Sequence, residues 1–244
     1  MKSHAVIGVV ALFAGALSVS YGQQNTEPDK DFATITGKIR VTGDEVPGPE
    51  KKPINKDPEV CGKGQRDIHW YKVVDGRIDE AIVFLNGDFD GASWTGAEAS
   101  AKLVQEGCFF KPYVDIWKRG AEVTIISKDA AAHNIHTYER IGEARRELFN
   151  FNQPNKDVRK VVIKPRRSQF IELTCDNHDF MAGWRFVAKN PYCTVARGGT
   201  FTLKVPPGSH TLKVWHPMMG VLEEEIEVKA GQKMTVDFEF EYEE

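Results

Sequence analysis

The sequence predicts an all-β protein of many short strands, and three observations carry that prediction. Apolar and polar residues alternate in short runs, most cleanly where Val236, Phe238 and Phe240 face away from Asp237 and Glu239, the period of two expected of a half-buried strand. Turn dipeptides and tripeptides recur along the chain, among them Asn86-Gly87, Arg119-Gly120, Pro206-Pro207-Gly208 and Ala230-Gly231. Between them little room is left for the long helical segments that βαβ units require.

The chain begins Met-Lys-Ser-His and then runs apolar from Ala5 to Leu17, followed by Ser20-Tyr21-Gly22. A short positive stub, an apolar core and small residues before the cut describe a secretory signal peptide over residues 1–22. A membrane anchor is the alternative, but the apolar run is short, contains glycine and has no stop-transfer flank. The reading implies a periplasmic or secreted mature chain of about 220 residues starting near Gln23, with no transmembrane segment and room for one large sandwich or two modest domains. Removing residues 1–22 takes away only Lys2 among Asp, Glu, Lys and Arg, so the formal charge moves from −3 to −4. That balance excludes the basic footprint of a nucleic-acid binder. The cluster Lys164-Pro165-Arg166-Arg167 reads as a solvated turn.

Taken in order, Phe32–Val41 reads as a strand, and residues 43–64, rich in Pro, Gly and charge, as a long loop. Residues 78–85 form a strand ending at Asn86-Gly87, and 87–101 an irregular stretch or short helix. Apolar patterning from Phe109 to Ile116 precedes the Arg119-Gly120 turn and a β-prone run over 121–127. Residues 138–153 form the one non-β stretch, with a helical turn or two over 143–148. Residues 160–164, 169–174 and 184–188 are strands. Residues 200–205 and 211–215 read as one hairpin, and 222–228 with 234–240 as a second.

Four cysteines, Cys61, Cys108, Cys175 and Cys193, would be free to pair in an oxidising compartment. One of them sits in a different setting. Cys175-Asp176-Asn177-His178-Asp179-Phe180-Met181 directly follows a strand and brings a thiol, an imidazole and a thioether together with two gaps of two residues. A tight loop can aim all three at one ion. His133, at the end of the 121–127 strand and its extension, supplies the missing imidazole. Two histidines and a cysteine with a distant methionine make the ligand pattern of a blue copper site, with soft sulfur selecting copper and nitrogen keeping both oxidation states tolerable. The competing readings are core filling, half of a disulfide, and a zinc site, for which methionine is a poor ligand. With Cys175 at the metal, at most one bridge remains among Cys61, Cys108 and Cys193. Cys61 and Cys108 are the candidates, and Cys193 would substitute for either.

His133-Asn134 after a strand, with Cys-x-x-His-x-x-Met later, resembles the cupredoxins, and the short ligand loop is similar to that of amicyanin. The resemblance implies a Greek-key β-sandwich over residues 105–193. It also implies a single type 1 copper ion with His133, Cys175 and His178 equatorial and Met181 axial. Asn134 would tie the two ligand-bearing loops together by hydrogen bonds. Asp179 departs from the proline of amicyanin-like loops and would place a carboxylate beside a His178 whose ring edge the family exposes to partners. His136 would point away from His133 in an extended strand, with a fifth-ligand or second-metal position as the alternative. The flanks, with Ile35-Thr36-Gly37-Lys38-Ile39, residues 201–208 and residues 210–214, resemble a second, small β-sandwich of the transthyretin-like or carboxypeptidase-regulatory-like kind. That sandwich would be discontinuous over residues 32–104 and 194–241, and the whole resembles secreted bacterial methylamine-utilisation-like proteins. The implied activity is one-electron transfer to a redox protein partner. A copper-handling module, or a structural sandwich with a vestigial site, is the alternative. An enzyme is disfavoured because four protein ligands leave no open position for substrate. Trp215-His216-Pro217-Met218-Met219 reads as a turn with an apolar patch, or as a soft copper-loading surface aided by His210.

Overall fold

The computed structural model describes residues 31–94 and 99–244, so the expected signal peptide lies outside the described residues. The described chain is almost entirely β, with one four-residue helical turn at Pro58–Cys61. Among the described residues no helix is long and apolar enough to cross a membrane.

Four sheets stack across three apolar layers. In the first, the Ala33–Gly43 strand pairs antiparallel with Thr200–Val205 and parallel with Lys233–Thr235 and Phe238–Tyr242. In the second, Ala81–Leu85 lies between Cys193–Ala196 and Gly208–His216, and Gly220–Val228 pairs with the far side of Gly208–His216. Ile35, Leu85, Leu203, Leu212 and Phe240 belong to one buried layer shared by these two sheets. The third sheet runs Ala144–Gln153, His133–Ile141, Phe170–Thr174, Ala182–Ala188, Val114–Lys118. The fourth runs Val158–Val162, Glu122–Ser127, Lys102–Gln105, Phe110–Lys111, and shares a layer with the third through Leu103, Ile125, Ile135, Leu173 and Val187.

The sequence of Ala81–Leu85 explains how the halves meet. All five residues are buried. Ala81, Val83 and Leu85 enter the first layer, while Ile82 and Phe84 join Ile116, Trp184, Phe186 and Trp215 in a middle layer. A strand covered on both faces loses the usual alternation and reads as a continuous apolar run. The Ala182–Ala188 strand is covered on both faces too, and Arg185 is fully buried there, donating to the carbonyls of Tyr113, Pro112 and Trp184. Desolvation lowers its pKa to about 10.

Three local expectations are corrected. The stretch expected to be non-β, 138–153, with a helical turn or two over 143–148, is a β-hairpin of His133–Ile141 and Ala144–Gln153. His133 therefore opens its own strand and does not extend the preceding one. Its partner is a sheet edge with mostly exposed residues, so the period-two signal is missing from Ala144–Gln153. Neither hairpin expected after residue 200 forms. Thr200–Val205 pairs with Ala33–Gly43, and Gly208–His216 pairs instead with Gly220–Val228 around Pro217-Met218-Met219. The final strand divides at Val236 and Asp237, where the Val236 N–H donates to the Thr36 carbonyl at 2.9 Å and the Lys38 N–H to the Asp237 carboxylate at 2.8 Å. Gly37 is required at that point because a Cβ there would overlap the Val236 carbonyl.

Candidate metal centre

The candidate ligands converge because two adjacent strands hand over to one loop. Phe170–Thr174 pairs with His133–Ile141 on one side, matching Thr174 to His136, and with Ala182–Ala188 on the other, matching Thr174 to Ala182. The register carries Cys175 past Thr174 toward Asn134, whose backbone N–H lies 3.4 Å from the Cys175 sulfur. Within the loop, the His178 N–H donates to the Cys175 carbonyl at 3.2 Å and the Met181 N–H to the His178 carbonyl at 2.9 Å. Two successive turns of this kind place side chains three residues apart on one side, which is why two-residue gaps serve here.

The result is a compact triangle. His133 Nδ1 and His178 Nδ1 are 3.1 Å apart, and Cys175 Sγ lies 4.0 Å from the first and 3.7 Å from the second. The point equidistant from the three atoms is about 2.1 Å from each, within the ~2.0–2.3 Å that imidazole nitrogen and thiolate sulfur keep from an ion such as zinc. All three residues are buried, as is Met181, which shares an apolar cluster with Cys175 and Phe180.

Each ring is backed by a carboxylate that the sequence did not single out. His133 Nε2 lies 2.8 Å from Asp129 Oδ2, and His178 Nε2 lies 2.9 Å from Asp57 Oδ2. A carboxylate only accepts, so the Nε2–H donates in both rings and each Nδ1 is left with a lone pair. Two lone pairs 3.1 Å apart in a dry pocket repel, and a cation between them turns that repulsion into binding. The donor set therefore fits a soft metal ion.

The electrostatics agree. Burial pushes the Asp129 carboxyl up, but the N–H groups of Cys108 and Gly107, together with His133, outweigh it and hold the group below the ordinary range. Burial lowers the pKa of His178 and so favours the neutral ring, against the opposing pull of Asp57. Burial raises the Cys175 thiol despite N–H donation from Asn134, Asn177 and His178, so a bound cation would have to supply the stabilisation of the thiolate.

Asn134 links the two ligand segments: its side-chain carbonyl accepts from the Asp176 N–H, and its amide donates to Asp176 Oδ2 at 2.7 Å and Asn150 Oδ1 at 2.9 Å. His136 lies outside the triangle. It contacts the Asp176 carboxylate at 3.0 Å, Glu147 at 2.9 Å and the Tyr138 hydroxyl at 2.9 Å. Cys61 and Cys108 form a disulfide whose sulfurs border the same cluster, while Cys175 and Cys193 are buried and outside any disulfide. His178 corrects the expectation of an exposed ring edge, since it is 1% exposed and covered by the segment that carries Asp57. Asp57 and Asp129 had no sequence signal beyond being acidic: one lies in a loop far from the ligands, the other four residues before His133.

No family model matches the chain, and no curated protein matches it. Among solved structures it is similar to a purple cupredoxin from Nitrosopumilus maritimus, at 19% identity over 36% of this chain and 100% of that one, with a TM-score of 0.31. It is also similar to a Cu-containing nitrite reductase from Thermus scotoductus SA-01, at 12% identity over 42% of this chain, with a TM-score of 0.30, and covers only 28% of that enzyme. A reduced amicyanin variant shares 21% identity over 45% of this chain and 100% of its own, with a TM-score of 0.30.

Proposed function

We propose that this chain is an exported one-electron carrier that uses one type 1 copper ion held by His133, Cys175, His178 and Met181. The observation that supports this most is the convergence of two imidazole lone pairs and one sulfur in a buried pocket, each ring oriented by a carboxylate. When bound, copper would supply the Cu(II)/Cu(I) couple. The protein's part is to hold Nδ1 of both rings and the Cys175 sulfur in one arrangement for both states, so that little rearrangement accompanies electron exchange. Asn134 and Asp176 lock the two ligand segments together, and Phe180 and Met181 keep water out. Residues 105–193 would form the copper-bearing unit, joined by the Lys102–Gln105 strand and the 50–68 segment that pack with it, and inserted in a second sandwich built from the rest of 32–104 and 194–241. The pairing of Ala33–Gly43 with strands beyond residue 200 favours that division. The partner would be a redox protein outside the cytoplasm.

The closure of His178 also favours a second reading, a copper-handling module that retains metal, because a covered ligand slows exchange. Copper titration of residues 23–244 with absorption and electron paramagnetic resonance separates the two. A carrier shows an intense thiolate-to-copper band and reversible cycling, and Cys175→Ser abolishes that band. Tight Cu(I) binding without the band would favour the handling module. Retention of the full spectrum in Cys175→Ser would overturn the site.

A further inference from the structure

The ring of His178 is closed by a strap more than a hundred residues away in sequence. The Glu50–Pro53 and Gln65–Ile68 strands form a small hairpin, and the segment between them crosses the ligand loop. Three consecutive loop residues are held from this side. Lys56 Nζ donates to Asn177 Oδ1 at 2.9 Å, Asp57 Oδ2 faces His178 Nε2 at 2.9 Å, and Lys52 Nζ donates to the Asp179 carbonyl at 3.3 Å.

The far end of the strap is fastened independently. The Cys61–Cys108 disulfide ties it to the turn that binds Asp129. The Arg66 guanidinium donates to the carbonyls of Cys61, Gly107 and Cys108 while lying 4.7 Å from the Phe180 ring centroid and 3.9 Å from that of Phe109. Asp57 itself sits in the left-handed region, at φ 50° and ψ 49°, and its carbonyl accepts from the N–H groups of Val60 and Cys61. Aspartate tolerates that conformation better than most residues. A non-glycine residue persists there where its surroundings fix it. Here the surroundings are a helical turn, a disulfide and the neighbouring Lys56 bonded to the ligand loop, and they fix the carboxylate against one nitrogen of one candidate ligand.

We propose that Asp57 is a positioning residue for the metal centre: it holds the His178 ring with Nδ1 toward Cys175, and its strap closes that ring to water. This rests on the metal reading of the triangle, but it concerns the protein's own side chains and is measurable without metal. It also means that a partner or an incoming ion reaches His178 only with the strap displaced.

The test uses the metal-free mature chain labelled with ¹⁵N-histidine. In the wild type, His178 carries its proton on Nε2, and that proton exchanges with water slowly enough to be observed. Asp57→Gly removes the carboxylate while accepting the left-handed backbone without strain, and the Nε2–H signal is lost. Asp57→Asn keeps an acceptor oxygen and tolerates the same backbone, and the signal returns. Copper affinity falls about 10–100-fold in the glycine variant and less in the asparagine variant, the usual range for losing a ligand's hydrogen-bond partner. A slow-exchanging Nε2–H retained in Asp57→Gly would overturn the proposal. If that variant does not fold, a wild-type His178 protonated on Nδ1 overturns it equally. A wild type that fails to take up copper would refute the metal reading instead, leaving the metal-free result to stand alone.

Discussion

The two imidazoles of the site are braced by carboxylates in opposite ways. Asp129 is 6% exposed, and its two oxygens accept from the N–H groups of Gly107 and Cys108, so backbone holds it in place before His133 is considered. Asp57 has a side chain 29% exposed and arrives on a strap of loop, lysine contacts and a disulfide. One candidate ligand is oriented by the body of the protein and the other by a cover. A buried carboxylate with several N–H donors is hard to move without leaving those donors unpaired, whereas a partly exposed one can swing into water. The difference assigns rigidity to His133 and adjustability to His178.

The largest effect expected from this contrast is at Asp129. Asp129→Ala strands two backbone N–H groups and the His133 ring, and should cost several kcal/mol of stability, at about 1–3 kcal/mol per stranded donor, together with most of the copper affinity. Urea denaturation with and without copper measures both. A loss no larger than that of Asp57→Gly would abolish the distinction between body and cover.

His216 sharpens the comparison from another side, as a buried imidazole whose described hydrogen bond comes from the Met218 N–H at 3.3 Å. Burial lowers its pKa to about 4, with the charge of Asp79 only partly offsetting this. The unfolded chain, with an ordinary histidine near pH 6.5, therefore binds more protons than the folded one between those values. Stability falls as pH drops from about 6.5 to about 4, by on the order of 3 kcal/mol at 1.36 kcal/mol per unit, and this group contributes no slope above that range. His216→Asn should flatten that part of the profile in thermal melts taken across pH. An unchanged slope would place the pH dependence elsewhere. The same buried ring argues against an open copper-loading surface at Trp215-Met219, where Met218 alone is clearly exposed.

The smallest effect is expected at His136. It contacts Asp176, Glu147 and Tyr138 at a partly exposed position, outside the triangle. His136→Ala should cost about 0–1 kcal/mol and leave copper stoichiometry and spectrum intact. A lost or altered copper spectrum would bring His136 into the ligand set.

How much of this was legible in the sequence follows from how local each feature is. The all-β class and the loop Cys175–Met181 could be read directly, because short turns alone bring a residue, its third and its sixth neighbour to one side. Residues 78–85 announced a strand, of which Ala81–Leu85 forms one buried on both faces and Ile78 belongs to a separate short strand. Residues 144–153 misled, since an exposed edge strand carries no periodic apolar face and its charges suit a helix equally well. The hairpins expected after residue 200 failed for another reason. Strand character is local, but strand partners are chosen by which edges meet, and Ala33–Gly43 takes three partners from the last part of the chain. The carboxylates behind the ligands were least visible. An aspartate 121 residues from His178 and another packed against a distant turn become ligand supports only when separate strands meet. By itself the sequence determined which atoms could bind a metal. The tertiary structure decided which nitrogen each ring presents and that His178 faces a strap instead of solvent, because hydrogen-bond direction and burial are set by neighbours that the chain order keeps far apart.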